Sequence, residues 1–163
     1  MSTKLNLILA LILIFFNLTS MSQIEMRKYI PTTERYHIFY PKDYFLNEDE
    51  DGIVTITSPN GETNMTLSGY EANGGVDAKV LTEFMATLTE DYELQTEPKI
   101  EQFGQGLKIS GEYRKDGNDW LWKIFSENKA IVVVSVNGDG ILMDEQIKLN
   151  EFMLQNFELY SSV

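Results

Sequence analysis

The sequence contains no cysteine and a single histidine, His37. No disulfide can form, so the fold must stand on its core, which a chain of 163 residues can supply. Cys–His nucleophilic chemistry is excluded, and a Ser-His-Asp triad would have to use His37. That histidine falls mid-strand opposite Ile38, and no serine sits in a nucleophile-elbow context, so a structural or surface role is expected for it. Internal repeats, low-complexity segments and linkers are also absent. Basic residues are scarce: 13 Lys and Arg against 25 Asp and Glu give a formal charge of -12. An acidic surface of this kind argues against nucleic acid or anionic lipid as partners. It permits basic proteins and divalent cations, and it also suits plain solubility.

Long apolar runs are confined to one place. Lys4 is followed by Leu5 to Phe16, apolar but for Asn6, and then by a polar stretch from Asn17 to Gln23. The run falls short of the roughly 18–20 apolar residues that a spanning helix needs. A short positive region, an apolar centre and the small-x-small site Ser20-Met21-Ser22 predict a secretory signal peptide over residues 1–22, cleaved before Gln23. The mature chain, 23–163, is expected to be a single exported domain, periplasmic or extracellular and not membrane-spanning. Losing Lys4 takes its formal charge from -12 to -13. Without cysteine, a lipid anchor of the bacterial lipoprotein type is excluded.

What is present is alternation. Leu107, Ile109, Gly111 and Tyr113 share one face of a strand, and Lys108, Ser110, Glu112 and Arg114 the other. Lys115-Asp116-Gly117-Asn118 turns the chain into a second strand, where Trp120, Trp122 and Ile124 oppose Leu121, Lys123 and Phe125. After Ser126–Lys129, the β-branched run Ala130 to Val136 has the composition of a central strand covered on both faces. Earlier in the chain, Tyr36–Pro41, Ile53–Ser58 and Asn64–Tyr70 read as strands, and Tyr92–Thr96 and Lys99–Phe103 as short extended segments broken by Pro98. Two helices are predicted to cover the sheet. Asp77–Glu90 is N-capped by Asp77, with Val80, Leu81, Phe84, Met85 and Leu88 as its stripe. Asp144–Phe157 opens on Asp144 and Glu145, with Met143, Ile147, Leu154 and Phe157 near one face. The fold class is α+β: an antiparallel meander packed against two helices.

Few patterns carry chemistry. Asn47-x-Asp49-x-Asp51-Gly52 matches the first half of a calcium loop, but Ser58 stands where the bidentate acid belongs and the flanks are strand-like. A solvated acidic turn is the expectation. Gly104-Gln105-Gly106 lacks the third glycine of a dinucleotide fingerprint and reads as a turn. Trp120 and Trp122 form either an exposed aromatic patch for a partner or a sugar, or core beneath a helix; Ile124 on the same face favours core. Nothing in the sequence places two carboxylates in one cleft, as a glycosidase would require. No catalytic, cofactor-binding or metal-binding residue is assigned, and no cofactor is expected.

Tyr36-His37-Ile38-Phe39-Tyr40-Pro41-Lys42-Asp43-Tyr44, followed by Gly52-Ile53-Val54-Thr55-Ile56-Thr57-Ser58-Pro59, resembles the opening of PsbP/Mog1/DcrB-like proteins. Tyr44 stands where many relatives carry Trp. The resemblance covers most of the mature chain in element order and about two dozen residues in motif. It implies an α+β sandwich and a largely non-enzymatic class whose members bind other proteins. Histidine-containing metal sites of photosystem relatives do not carry over, because His37 is the only histidine. The functional expectation is an exported, non-catalytic protein-binding or accessory module of the cell envelope or a secretion system. The alternative is a periplasmic small-ligand or glycan binder, or a hydrolase, using acidic and aromatic residues.

Overall fold

A computed structural model describes residues 24–138, 140–142 and 144–160. The predicted signal segment, Met143 and Asp139 lie outside the described residues. The first five strands are β1 (Met26–Tyr29), β2 (Tyr36–Pro41), β3 (Phe45–Glu48), β4 (Val54–Thr57) and β5 (Thr63–Glu71). Helix α1 (Ala78–Leu88) follows, then β6 (Glu93–Phe103), β7 (Gly106–Lys115), β8 (Asn118–Glu127) and β9 (Ala130–Gly138). Helix α2 (Asp144–Gln155) and the two-residue β10 (Glu158–Leu159) complete the order. Seven strands form one antiparallel sheet in the order β3-β4-β5-β9-β8-β7-β6, and β1-β2-β10 form a second, smaller one.

The α+β class and the meander stand as expected. β7 pairs with β8 from Lys115↔Asn118 to Leu107↔Ser126, and β8 with β9 from Glu127↔Ala130 to Trp120↔Asn137. The first turn works because Asp116 and Gly117 both take positive φ, 52° and 82°, which a two-residue hairpin demands. β9 lies between β5 and β8, and its residues alternate into two separate cores.

On one face of the sheet, Ile109, Tyr113, Ile124, Ile131 and Val133 meet Leu81 and Met85 of α1. The helix starts where Asp77 Oδ1 accepts the Val80 N–H at 2.9 Å, and it ends where the Thr89 N–H donates to the Met85 carbonyl. Leu81 and Met85, four residues apart, are closed to solvent, while Val80 stands at the outer margin of the stripe. The other face carries Ile56, Met65, Leu67, Phe125, Val132, Val134 and Val136. It is covered by Tyr36, Ile38 and Tyr40 of β2, by Met153 and Leu154 of α2, and by Phe157 and Leu159. Each fully buried aliphatic side chain contributes roughly 1.5–3 kcal/mol, so both covers are integral to the sheet.

Several expectations need correction. β1 is not among the predicted strands; it forms because β2 offers it a free edge, from Met26↔Pro41 to Tyr29↔Ile38. β3 is likewise not among the predicted strands; it pairs with β4 through Phe45↔Thr57 and Glu48↔Val54. The two segments about Pro98 form a single edge strand, β6, whose register against β7 slips between Leu94 and Lys99. An edge position tolerates Pro98, since its missing N–H faces no partner strand. The buried side of α2 is Asn150, Met153 and Leu154, and Phe157 lies beyond the helix in the turn into β10.

An acidic cleft at the start of the second helix

The residues singled out in the sequence do not converge. Trp120 and Trp122 stack with ring centroids 6.1 Å apart, and Tyr92 stands edge-on to both at 5.3 and 5.6 Å. They are half-buried and pack into the core that α1 covers, with Ile124 closed to solvent on the same face. Both indole N–H groups are buried without an acceptor. His37 is buried in β2; its Nδ1 lies 2.8 Å from the Tyr160 hydroxyl and 3.8 Å from a Glu158 carboxylate oxygen.

The 47–52 segment is a turn braced from within. Asp49 Oδ1 accepts the N–H groups of Asp51 at 3.0 Å and Ile53 at 2.8 Å, and the Asp49 N–H donates to the Ile53 carbonyl at 3.0 Å. Gly52 has φ 77°. Glu48, just before the turn, accepts from the Thr32 N–H at 2.8 Å, the Thr32 hydroxyl at 2.6 Å and the Tyr29 hydroxyl. Burial works against its charge, yet these donors together hold its pKa below the usual carboxylate value. The same bond, with burial behind it, pushes the Tyr29 hydroxyl up to about 12. Among the described residues no three His, Asp or Glu side chains come together to hold a metal ion.

An open cleft lies elsewhere, where two loops of the chain meet the first turn of α2. It is a cleft of about 920 Å³. One wall is Asp43 and Tyr44, between β2 and β3; a second is the β4–β5 turn, Ser58 to Thr63; the third is Ile141, Leu142, Asp144 and Glu145. Nothing in the sequence places two carboxylates in one cleft; the structure brings Asp43, Glu62, Asp144 and Glu145 to the lining of one opening. No local pattern announces it, because the four acids come from two separate links and the first turn of α2.

Two of the walls are anchored by hydrogen bonds. In the β4–β5 turn, the Thr63 N–H donates to Ser58 Oγ at 3.0 Å and the Gly61 N–H to the Ser58 carbonyl at 2.9 Å. Asn60 Oδ1 accepts from Ser58 Oγ at 2.8 Å. The segment before α2 is tied to the first meander hairpin: Asn118 Oδ1 accepts the Gly140 N–H at 2.7 Å, and Asp119 Oδ2 the Leu142 N–H at 3.2 Å. Asp119 is itself held by Arg114, at 2.6 Å. Burial and the neighbouring Asp43 carboxylate both raise the pKa of Tyr44, so its ring presents a neutral hydroxyl. None of the four acids lies within ion-pair distance of a basic side chain among the described residues. The α2 N-terminus opposes them with about +0.5 of a charge, far less than four carboxylates supply.

This architecture is that of PsbP-like proteins. The solution structure of cyanobacterial PsbP (CyanoP) from Synechocystis sp. PCC 6803 superposes with a TM-score of 0.65 at 15% identity, over 86% of this chain and 96% of that one. A crystal structure from Bacteroides thetaiotaomicron VPI-5482 gives 0.59 at 17% identity over 83% of this chain, which spans 48% of that protein. LpqN of Mycobacterium tuberculosis, described as involved in cell envelope biogenesis, gives 0.45 at 16% identity over 87% of this chain and 88% of its own. No protein-family model matches the chain, and no curated protein does. The resemblance to the PsbP/Mog1-like superfamily is therefore one of fold. Among the described residues no helix is long and apolar enough to cross a membrane.

Proposed function

We propose that the chain is an exported, non-catalytic accessory protein of the cell envelope or of a secretion system, and that it works by holding another protein. The cleft beside α2 carries this reading. Its walls combine unpaired carboxylates with the ring of Tyr44 and the side chain of Ile141, which is 70% exposed. An open surface that mixes charge with apolar area suits a protein segment better than a small molecule, whose sites enclose most of the ligand. The signal-peptide pattern at residues 1–22 supports export. The non-enzymatic character that the PsbP-like resemblance implies supports an accessory role. His37, the only imidazole, is engaged with Tyr160 and is not part of the cleft.

The test is site-specific photocrosslinking in native envelope extract, with the crosslinker at Ile141 and, as a control, at exposed Thr87 on α1. A discrete adduct from position 141 alone is the expected result. Equal labelling from both positions, or none, overturns the proposal. The rival reading, a glycan binder or hydrolase, would use the same acids; it gains if an envelope glycan, rather than a protein, protects Ile141 from labelling.

A further inference from the structure

A second binding surface lies on the face of the sheet that α1 covers only in part. We infer that the open face of β3, β4, β5 and β9 takes an extended, neutral, β-linked glycan; this goes beyond the protein-holding role and does not depend on it. Register aligns the side chains of this face in two rows. Asn47, Thr55, Thr66 and Ser135 lie opposite one another across the four strands, and the row ends on Trp122 of β8. Phe45, Thr57, Asn64 and Asn137 form the second row, which ends on Trp120. Helix α1 packs on this face at Ile131 and Val133 of β9, and both rows lie past that point. Along β4 and β5 their residues are half-buried and alternate with Val54, Ile56, Met65 and Leu67, which are closed to solvent.

Two independent observations point to a ligand of this class. The first is the chemistry of the rows. None of their positions carries a charge, although the chain has 25 Asp and Glu and 13 Lys and Arg. An anion finds no cation here and a cation no carboxylate, so the face selects a neutral ligand. Ser, Thr and Asn offer donors and acceptors together, as sugar hydroxyls do. Thr57 Oγ1 donates to Asn64 Oδ1 at 2.8 Å, while among the described residues the side chains of Thr55, Thr66, Ser135 and Asn137 make no hydrogen bond. The second observation is Ser135, at the centre. The residue is only 9% exposed, flanked across the strands by Trp122 and Thr66. Its Oγ has no partner, yet it is not among the side-chain atoms sealed from solvent, which belong to Tyr36, Thr63, Asn150 and the two indoles. A hydroxyl so deeply set, unpaired and still open is one that a ligand hydroxyl can reach. A protein partner would want an apolar centre, and Phe45, 66% exposed at the rim, is the one large apolar side chain of the rows that stands open. A sugar suits this division: its C–H face packs on an aromatic ring, and its hydroxyls bond amides and hydroxyls. A small ligand would need a concavity, whereas this is an open strand surface. Four inter-strand spacings of about 4.8 Å span roughly 19 Å, the length of several sugar units in a straight chain.

The experiment titrates the isotope-labelled full chain with cellohexaose, chitohexaose and maltohexaose, read by amide chemical shifts. The expected result is a saturable change with cellohexaose or chitohexaose, confined to the two rows and unaffected by 0.5 M salt, because no charge takes part. Maltohexaose, whose α-links curl the chain, should bind more weakly. Ser135→Ala should weaken binding about five-fold, the loss of one hydrogen bond, without lowering the melting temperature, since the hydroxyl has no partner to lose. Phe45→Ala, at an exposed position, should weaken it by a similar factor, about five-fold. No saturable shift with either β-linked hexamer overturns the inference. So do shifts that map to the acidic cleft, equal binding of maltohexaose, or binding unchanged in both variants. The two sites fail separately: Asp43→Asn with Glu62→Gln should leave glycan binding intact, and the Ile141 crosslink should survive Ser135→Ala.

Discussion

Replacing Trp120 with alanine tests whether the aromatic face of the meander is core. Trp120 sits on β8 opposite Tyr113, stacked on Trp122 and edge-on to Tyr92. Truncating a large aromatic in a core costs about 3–5 kcal/mol, and Trp120 is only half-buried, so roughly two-thirds of that applies. Its ring contacts raise the cost, by up to about 1 kcal/mol each. Against this, its Nε1–H is buried with no acceptor, and removing that donor returns about 1 kcal/mol. The net expectation is a loss of about 2–3 kcal/mol, or roughly 5–10 °C in melting temperature for a protein of this size. Thermal and urea unfolding followed by far-UV circular dichroism, which does not depend on indole fluorescence, reads the change. Trp120→Phe, which keeps a ring and discards the orphan donor, should cost less than about 1 kcal/mol. A Trp120→Ala protein that melts within about 1 °C of the parent would refute the argument and make the paired indoles a surface feature.

Other perturbations probe different contacts. Glu48, with its pKa held down, should contribute stability above its unfolded value of 4.5 that is lost as pH falls below it. Tyr29 should contribute stability that is complete below its unfolded value of 10.0 and lost as pH rises through about 12. Tyr29→Phe should therefore flatten both limbs of a pH–stability profile, and an unchanged profile would count against the Tyr29–Glu48 bond. Gly106→Ala should destabilise by about 3 kcal/mol or more in a urea melt, because a Cβ there would lie 1.8 Å from the Ser126 carbonyl oxygen. Asp49→Ala should cost about 1 kcal/mol through the two N–H groups it leaves unbonded. Millimolar calcium should leave the melting temperature of parent and variant alike unchanged; a calcium-dependent rise in the parent alone would restore the cation reading of that turn.

The parts of the fold that were legible are those in which each residue carries its own instruction. Period-two alternation in β7 and β8, the unbroken β-branched run of β9 and the Asp116-Gly117 turn state strand, centre and hairpin locally. Asp77 and the stripe after it state α1 in the same way. β1, Met-Arg-Lys-Tyr, has no such pattern and becomes a strand because β2 is there to pair with it. β3 and β10, four and two residues long, are likewise strands only by virtue of their neighbours. The aromatic pair was rightly read as leaning toward core because Ile124 continues its face.

By itself, then, the sequence determined the α+β class, the central meander, the poverty of catalytic side chains and the acidity of the surface, since composition and short-range periodicity carry that information. Tertiary structure decided where the acidity is concentrated. Asp43 and Glu62 belong to two separate links between elements and Asp144 to the first turn of α2, and they meet because β2 and α2 share one face of the sheet. The Asn118 and Asp119 bonds then draw the start of α2 toward the β7–β8 hairpin. Side chains far apart in the chain are brought together only by packing, and no local pattern encodes which loops will become neighbours.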